Sequence, residues 1–377
     1  MRKLKIWIVG GRGIPGLQGG VERRVENLAP RIVSYSNGFF HITVVNRSCY
    51  FKDNRVYNWQ GVNIIYIFTF KNKYLEAALH TFFSIILAKI NSVKLLHIQA
   101  IGPAMFTPLA KFLGLKVVVT HHGPDYLREK WKGLAKVILK LSEFFAIKFA
   151  DKIIVVSEYL KGFLEKKYNR KDLIVVRNGV DIPQIVPPGG VLKKFGLEPK
   201  KYIFTACRFV PEKGIDDLIN AYRNIENPNF KLVIAGDADH ETAYSRKVKK
   251  MANETKGVVL TGVIKGKELQ ELYSNTGLFV LPSYYEGLPI ALLEALSYGL
   301  PVLVSDIPQH KEIPLPEDRY FPVGNVEKLS EKIVEMYNKG ISEKEKEFIL
   351  DYIKKNHNWN TAAQKILDVY KQVIGYK

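Results

Sequence analysis

Along this chain, short unbroken apolar runs alternate with longer stretches in which apolar residues recur every three or four positions. The runs predict strands buried on both faces, and the longer stretches predict helices. Strand runs in the first half fall at residues 4–9, 41–46, 62–68, 94–98, 116–120, 152–156 and 173–176. In the second half they fall at 202–206, 231–235, 258–260, 278–281 and 301–305. Such alternation predicts βα units and parallel sheets. Between the halves, "RNGVDIPQIVPPGG" (177–190) gathers proline and glycine, which break both patterns and mark a linker. A length of 377 residues exceeds one ordinary core. The expected fold is α/β, with two doubly wound Rossmann-like domains (1–180 and 181–356) whose carboxyl sheet ends face a central cleft. Residues 357–377 are expected to form a helix, N-capped at Asn360, that crosses back to the first domain.

Two apolar segments bear on membranes. Residues 74–90, "YLEAALHTFFSIILAKI", include Glu76 and His80 and fall slightly short of a span, so a buried helix is expected. In "YLREKWKGLAKVILKLSEFFAIKFAD", residues Leu127, Trp131, Leu134, Ile138, Leu141 and Phe145 form an apolar stripe beside Lys132, Lys136 and Lys140. This stripe is expected to pack on the sheet, with the lysines approaching a membrane electrostatically. The start, "MRKLKIWIVGGRG", reads as a first strand rather than a signal peptide.

Net charge is +19, and its placement is uneven. Residues 1–180 hold 29 Lys and Arg against 11 Asp and Glu, a net of +18, so the second half is nearly neutral. An anionic partner for the first half is implied: a membrane surface, an acidic lipid-linked substrate or nucleic acid. Cys49 and Cys207 lie far apart without C-x-x-C spacing, which excludes a disulfide framework or cysteine zinc site and fits a reducing compartment. Both thiols are expected to be inert.

Candidate chemistry collects at strand ends. In "PSYYEGLPIALLEALSYGLPVLVSD" (282–306), Glu286 falls in a loop before a helix opened by Pro289, and Glu294 falls inside that helix. Gly299 caps it in the left-handed conformation. The helix N-terminus suits a phosphate, and the flanking carboxylates suit sugar hydroxyls. In "FTACRFVPEKGIDDL", Arg208 and Lys213 follow a strand and precede a helix, as a diphosphate clamp would. "IVGGRGIPGLQGGVERR" sets glycines, including Gly19 and Gly20, after the first strand. It does not fit the dinucleotide fingerprint, and Arg47 stands where an acid would be needed, so a nicotinamide cofactor is disfavoured. His121 and His122, in "VVVTHHGPD", enter a loop at another strand end.

Taken in order, these motifs resemble the retaining glycosyltransferases of family 4, of GT-B fold. "EGLPIALLE" matches the family's two glutamates separated by seven residues. "CRFVPEKG" resembles its Arg…Lys-Gly loop, "RNGVD" its interdomain segment and "THHG" its histidine loop. "GGRGIP…GGVE" with "HHGPDYLREKW" further resembles a branch that includes rhamnosyltransferases. The resemblance covers nearly the full length. It implies that Arg208 and Lys213 bind the donor diphosphate, Glu294 the ribose and Glu286 the transferred sugar. Gly19 and Gly20 would admit the phosphates, Ile264 would contact the base, and His122 would serve the reacting sugar, with His121 as the alternative. Ala206 and Cys207 depart from the family, where a glycine often precedes the arginine.

The implied activity is metal-independent hexosyl or deoxyhexosyl transfer with retention, without a cofactor and without a metal-holding Asp-x-Asp pair. The donor would be a UDP-, dTDP- or GDP-linked sugar. The acceptor would be a glycan or polyprenyl-linked molecule at the inner membrane face, in surface polysaccharide or glycoprotein-glycan assembly. The alternatives are a nucleotide-sugar epimerase on the same fold and a basic nucleic-acid-binding protein.

Overall fold

The computed structural model describes residues 3–51, 55–72, 75–127 and 131–376. The chain divides into two units: residues 1–178 with 359–377, and residues 179–358.

The first unit is built on β1 (Leu4–Val9), α1 (Gly20–Tyr35), β2 (Phe40–Arg47), β3 (Asn58–Trp59), β4 (Val62–Ile67), α2 (Glu76–Ile90) and β5 (Leu95–Gln99). It continues through α3 (Thr107–Phe112), β6 (Lys116–His121), α4 (Gly133–Phe149), β7 (Lys152–Val155), α5 (Glu158–Tyr168) and β8 (Leu173–Val175). The sheet order is β3-β4-β2-β1-β5-β6-β7-β8, parallel except for the β3–β4 pair. Ile8 pairs with Val44 on one side and His97 on the other, at the sheet's centre. These inner strands are buried on both faces, which explains their unbroken apolar runs.

The last helix of the described residues, α13 (Trp359–Ile374), packs on α1. Its Tyr370 hydroxyl lies 2.6 Å from His97 Nδ1, and Thr120 Oγ1 lies 2.7 Å from His97 Nε2. Burial, reinforced by nearby Arg24, lowers the His97 pKa to about 3 and keeps the ring neutral. Arg24 is itself buried, donating to Asn178 Oδ1 at 2.7 Å and to the Val176 carbonyl at 3.0 Å. Asn360 is not the cap expected from sequence. It lies inside the first turn, as the second residue of α13, and accepts from Arg31 Nε at 3.0 Å.

The apolar stripe of α4 is a second correction. Trp131 packs beside Ile101, Tyr126 and Leu139, and Phe145 is half-buried, but Leu134, Ile138 and Leu141 are exposed, whereas the buried face carries Leu139, Ser142, Glu143, Ala146 and Ile147. Hydropathy pointed to the wrong face because the inner face includes polar groups with internal partners: Ser142 Oγ donates to Ile138 O at 2.7 Å, and Glu143 receives four donors. Leu127 belongs to a separate turn, and residues 128–130 of the expected helix lie outside the described residues. Residues 76–90 form a helix with His80 fully buried, while Tyr74, also expected in it, lies outside the described residues. Among the described residues no helix is long and apolar enough to cross a membrane.

The second unit begins with segment 179–189, the expected linker, which lies pinned rather than loose. Gly189 N and Leu192 N both donate to Glu271 Oε1 at 2.9 Å, and Val186 N donates to Ser274 Oγ. Its elements are α6 (Gly190–Lys194), β9 (Tyr202–Ala206), α7 (Ile215–Arg223), β10 (Lys231–Ala235), α8 (Ala243–Asn253), β11 (Val258–Gly262) and α9 (Gly266–Asn275). After these come β12 (Leu278–Leu281), α10 (Ile290–Ser297), β13 (Val302–Ser305), β14 (Tyr320–Phe321), α11 (Val326–Lys339) and α12 (Glu343–Asn356). All six strands are parallel, in the order β11-β10-β9-β12-β13-β14. From β9 the chain builds outward through β10 and β11, then returns to β9's other side with β12. That reversal is a topological switch point, the place in an open α/β sheet where ligands ordinarily bind.

Candidate active site

The two loops flanking the second unit's switch point carry three of the expected residues. Arg208 and Lys213 lie between β9 and α7, and Glu286 lies between β12 and α10. Glycine brings the loops together. Gly214 has φ +60°, and a Cβ there would sit 2.4 Å from the Pro282 carbonyl oxygen. Backbone therefore packs on backbone, and Lys213 Nζ reaches Glu286 Oε1. Ser283 Oγ donates to the same oxygen at 2.7 Å. Burial alone would raise the Glu286 pKa, but Lys213 and the Ser283 hydrogen bond outweigh it and hold the carboxyl below the usual range.

Behind Glu286 lies His310, fully buried, with Nδ1 2.8 Å from the Ser305 carbonyl. Burial lowers its pKa to about 4 against the pull of Glu286, so at neutral pH it is an uncharged ring donating through Nδ1. Cys207, next to Arg208, has its pKa pushed up to about 12 by burial, consistent with an inert thiol.

Arg208 Nη1 lies 2.9 Å from Asp239 Oδ2, on the loop after β10. An Asp-x-Asp spacing occurs here, at Asp237-Ala238-Asp239. Each carboxylate takes its own cation, since Asp237 Oδ1 pairs with Lys249 at 2.8 Å. Among the described residues no group of three metal-ligating side chains is assembled.

Glu294 lies one turn into α10, half-buried, and accepts from the Tyr273 hydroxyl at 3.3 Å. Tyr273 in turn stacks on Tyr298 with ring centroids 5.3 Å apart. Pro289 caps α10 rather than opening it, and Gly299 ends it at φ +66°, as expected. Ile264 is half-buried in the loop after β11, two strands from β9.

The first unit places its candidates at strand ends of its own sheet. The glycine loop follows β1, which with β5 forms this sheet's switch point. Arg12 and Glu22 form an ion pair across the loop at 3.0 Å, and Glu22 also accepts from Arg12 N. Gly19 has φ +142°, and a Cβ there would meet Glu22 Oε2 at 2.2 Å. Gly20 opens α1 with nothing within 4 Å of such a Cβ, so the protein itself does not require that space. Arg47 ion-pairs with Glu76 at 2.7 Å and donates to the Gly10 carbonyl, so it closes the loop's base.

The two histidines separate clearly. His121 is fully buried, accepts from Gly123 N at Nδ1 and bonds Glu143 through Nε2 at 3.2 Å. With Nδ1 accepting, the proton sits on Nε2. Glu143 also receives Lys167 and Tyr168; burial would raise its pKa, but these partners and His121 lower it to about 2. His121 thus shapes the loop, while His122 is half-buried and 3.0 Å from Gln99 Oε1, at the carboxyl end of β5. Ser283, His310, Asp239, Tyr273 and Glu143 escaped the sequence reading. For all but Ser283, three residues from Glu286, the signal is spatial, since each meets a residue distant in the chain.

Residues 18–184 match the family model described as Glycosyltransferase Family 4, and residues 192–371 match that of Glycosyl transferases group 1. An uncharacterized glycosyltransferase of Methanocaldococcus jannaschii is 28% identical over 369 residues, covering 94% of this chain and 95% of that protein. The UDP-Gal:alpha-D-GlcNAc-diphosphoundecaprenol alpha-1,3-galactosyltransferase of Escherichia coli is 31% identical over 210 residues, 52% of this chain and 54% of that one. Several other curated relatives are likewise matched over about half their length. Among solved structures, Anabaena HepE in complex with UDP-glucose superimposes with a TM-score of 0.79 at 17% identity, covering 98% of this chain and 100% of that one. At that identity the likeness shows the fold: two Rossmann-like α/β domains of the GT-B type.

Proposed function

The chain belongs to the glycosyltransferases, with a Family 4 domain preceding a group 1 domain, and on that premise we propose that it moves a sugar from a nucleotide-diphosphate donor to a lipid-linked or glycan acceptor with retained anomeric configuration. The observation that carries this reading is the pairing at the second switch point. Two cations follow β9: Lys213 meets the buried, ionised carboxylate of Glu286 from the loop after β12, and Arg208 pairs with Asp239 from the loop after β10. Both cations are held by carboxylates that a diphosphate can replace or share. Arg208 would exchange Asp239 for phosphate oxygens, and Lys213 would bridge phosphate and Glu286. Glu286 would then hold the transferred sugar's hydroxyls, and Glu294, set by Tyr273, the ribose.

In the transfer step the anomeric carbon–oxygen bond breaks and its electrons pass to the diphosphate. The acceptor oxygen bonds to the same face, and its proton goes to the leaving phosphate. Fixed cations stabilise the developing charge, so this chemistry needs no metal. His122 is assigned to the reacting sugar, Gly19 and Gly20 to phosphate approach, and Ile264 to the base. The UDP donors in the names of the Escherichia and Anabaena proteins support a UDP-sugar first, with dTDP and GDP sugars next. The Escherichia protein's diphosphoundecaprenol acceptor supports work at the inner membrane face, in surface-glycan assembly. Both matched models describe transferases, which favours neither the epimerase nor the nucleic-acid reading.

The test is thermal stabilisation by UDP, dTDP, GDP and ADP, measured on wild type and Glu294→Ala. A nucleotide at 100 times its dissociation constant stabilises by about 2.7 kcal/mol. One nucleotide should act selectively, and Glu294→Ala should weaken its effect. Absence of any shift would overturn the donor site.

A further inference from the structure

We propose that the α2–α3–α4 face of the first unit is a docking surface for an anionic lipid bilayer. This deepens the lipid-linked acceptor reading and rests on it for its purpose. The crossovers β4→β5, β5→β6 and β6→β7 all run in one direction across the sheet, so right-handed connection puts α2, α3 and α4 on the same face. Phe82 of α2 meets Phe106, just before α3, with ring centroids 6.1 Å apart, and α3 packs on α4.

This shared face is apolar where a soluble protein's is not. On α4, Leu134 is 74% exposed, Val137 60% and Ile138 44%, with Leu141 and Phe144 beside them. On α2, Ile90 is 71% exposed, with Phe83 and Leu87 along the same helix, and at the end of α3 Phe112 is 87% exposed. Scattered single residues of this kind are ordinary; three adjacent helices presenting them together are not.

Charge selects the occupant. The only acids in these three helices, Glu76 and Glu143, are buried in ion pairs. Every exposed charge on them is a lysine: Lys89, Lys136, Lys140 and Lys148. Lys148 holds its ammonium over the rings of Phe144 and Phe149, 5.5 and 5.6 Å from their centroids, so positive charge and aromatic surface share one patch. Ordinary solvated helices of this protein look different: α11 alternates lysine and glutamate in i,i+3 pairs. A second copy would bring lysines against lysines. An anionic bilayer offers apolar depth to the leucines and phenylalanines and phosphates to the lysines.

The test uses the full chain with vesicles of phosphatidylcholine alone, and of phosphatidylcholine with phosphatidylglycerol. Binding is read by sedimentation, beside UDP, dTDP, GDP and ADP stabilisation of the same samples. The wild type should bind the anionic vesicles and not the neutral ones. Lys136→Glu with Lys140→Glu should weaken binding at least about thirtyfold, about fivefold per lysine lost. Leu134→Gln with Ile138→Gln should weaken it comparably, and both variants should keep the wild type's melting temperature and nucleotide response. No binding to anionic vesicles, binding unchanged in both variants, or self-association through this face that the leucine variant abolishes would each overturn the proposal. Vesicle failure with nucleotide stabilisation intact removes only the docking surface. Vesicle binding without any nucleotide response removes only the donor site.

Discussion

Replacing Lys213 by alanine strips Glu286 of its counter-charge and leaves a carboxylate that is 7% exposed. Breaking a buried pair this way ordinarily costs about 3–5 kcal/mol. Here the loss has a ceiling, because the carboxyl can instead take up a proton. From its unperturbed value of 4.5, protonation at pH 7 costs about 3.4 kcal/mol. The penalty should therefore approach about 3 kcal/mol at pH 7 and shrink toward about 1 kcal/mol at pH 5.5. The wild type shows no such slope from this group: its folded pKa is lowered, so its contribution stays whole above the ordinary carboxylate range and disappears only as pH falls through the lowered value. In the variant burial remains while the cation is gone, so the folded pKa rises and the sign reverses. Urea unfolding at both pH values, on Lys213→Ala, Glu286→Gln and the double variant, reads this directly. Stability should recover by at least about 1.5 kcal/mol in the double variant relative to additivity. Transfer should not recover, staying at least about 100-fold down in all three. A pH-independent penalty would show that the pair is solvated, and near-normal turnover in Lys213→Ala would refute the clamp.

Four other perturbations probe features described above. Gly214→Ala combines a positive φ with the 2.4 Å approach to Pro282 O and should cost the second unit at least about 2 kcal/mol by chemical unfolding. Gly20→Ala meets nothing within 4 Å, so stability should hold within about 0.5 kcal/mol while turnover drops; unchanged turnover would remove Gly20 from the donor path. Glu143→Gln removes a carboxyl lowered to about 2, whose stabilisation is complete above pH 4.5 and is lost between there and pH 2. The variant should be about 3 kcal/mol less stable at pH 7, and its deficit should narrow on acidification across that window. Treatment with EDTA should leave the transfer rate unchanged, and a loss restored by Mg²⁺ would overturn metal-independent transfer.

The strands were readable from sequence because a sheet covered on both sides demands unbroken apolar runs, as at Leu4–Val9 and Tyr202–Ala206. Glu286 and Glu294 were readable because carboxylates in an apolar segment require a partner. The distant supports were not: Tyr273 reaches Glu294 from α9, and Asp239 reaches Arg208 from the loop after β10, contacts that no local pattern encodes. The inner face of α4 failed for a related reason. Ser142 and Glu143 look like surface residues until Ile138 O, His121, Lys167 and Tyr168 are seen to satisfy them.

The helix α13 imposes an order on biosynthesis. It completes the first unit beside Arg24, Leu28 and Ile32, with Tyr370 at His97, yet it is translated after the whole second unit. At ribosomal rates the intervening segment delays it on the order of 10–40 s. Throughout that interval the nascent first unit lacks the apolar cover that α13 adds beside α1, and Arg24 and His97 lack the Tyr370 side of their surroundings. The unit made second is thus the first able to finish folding, and the half that begins the chain stays incomplete until α13 emerges.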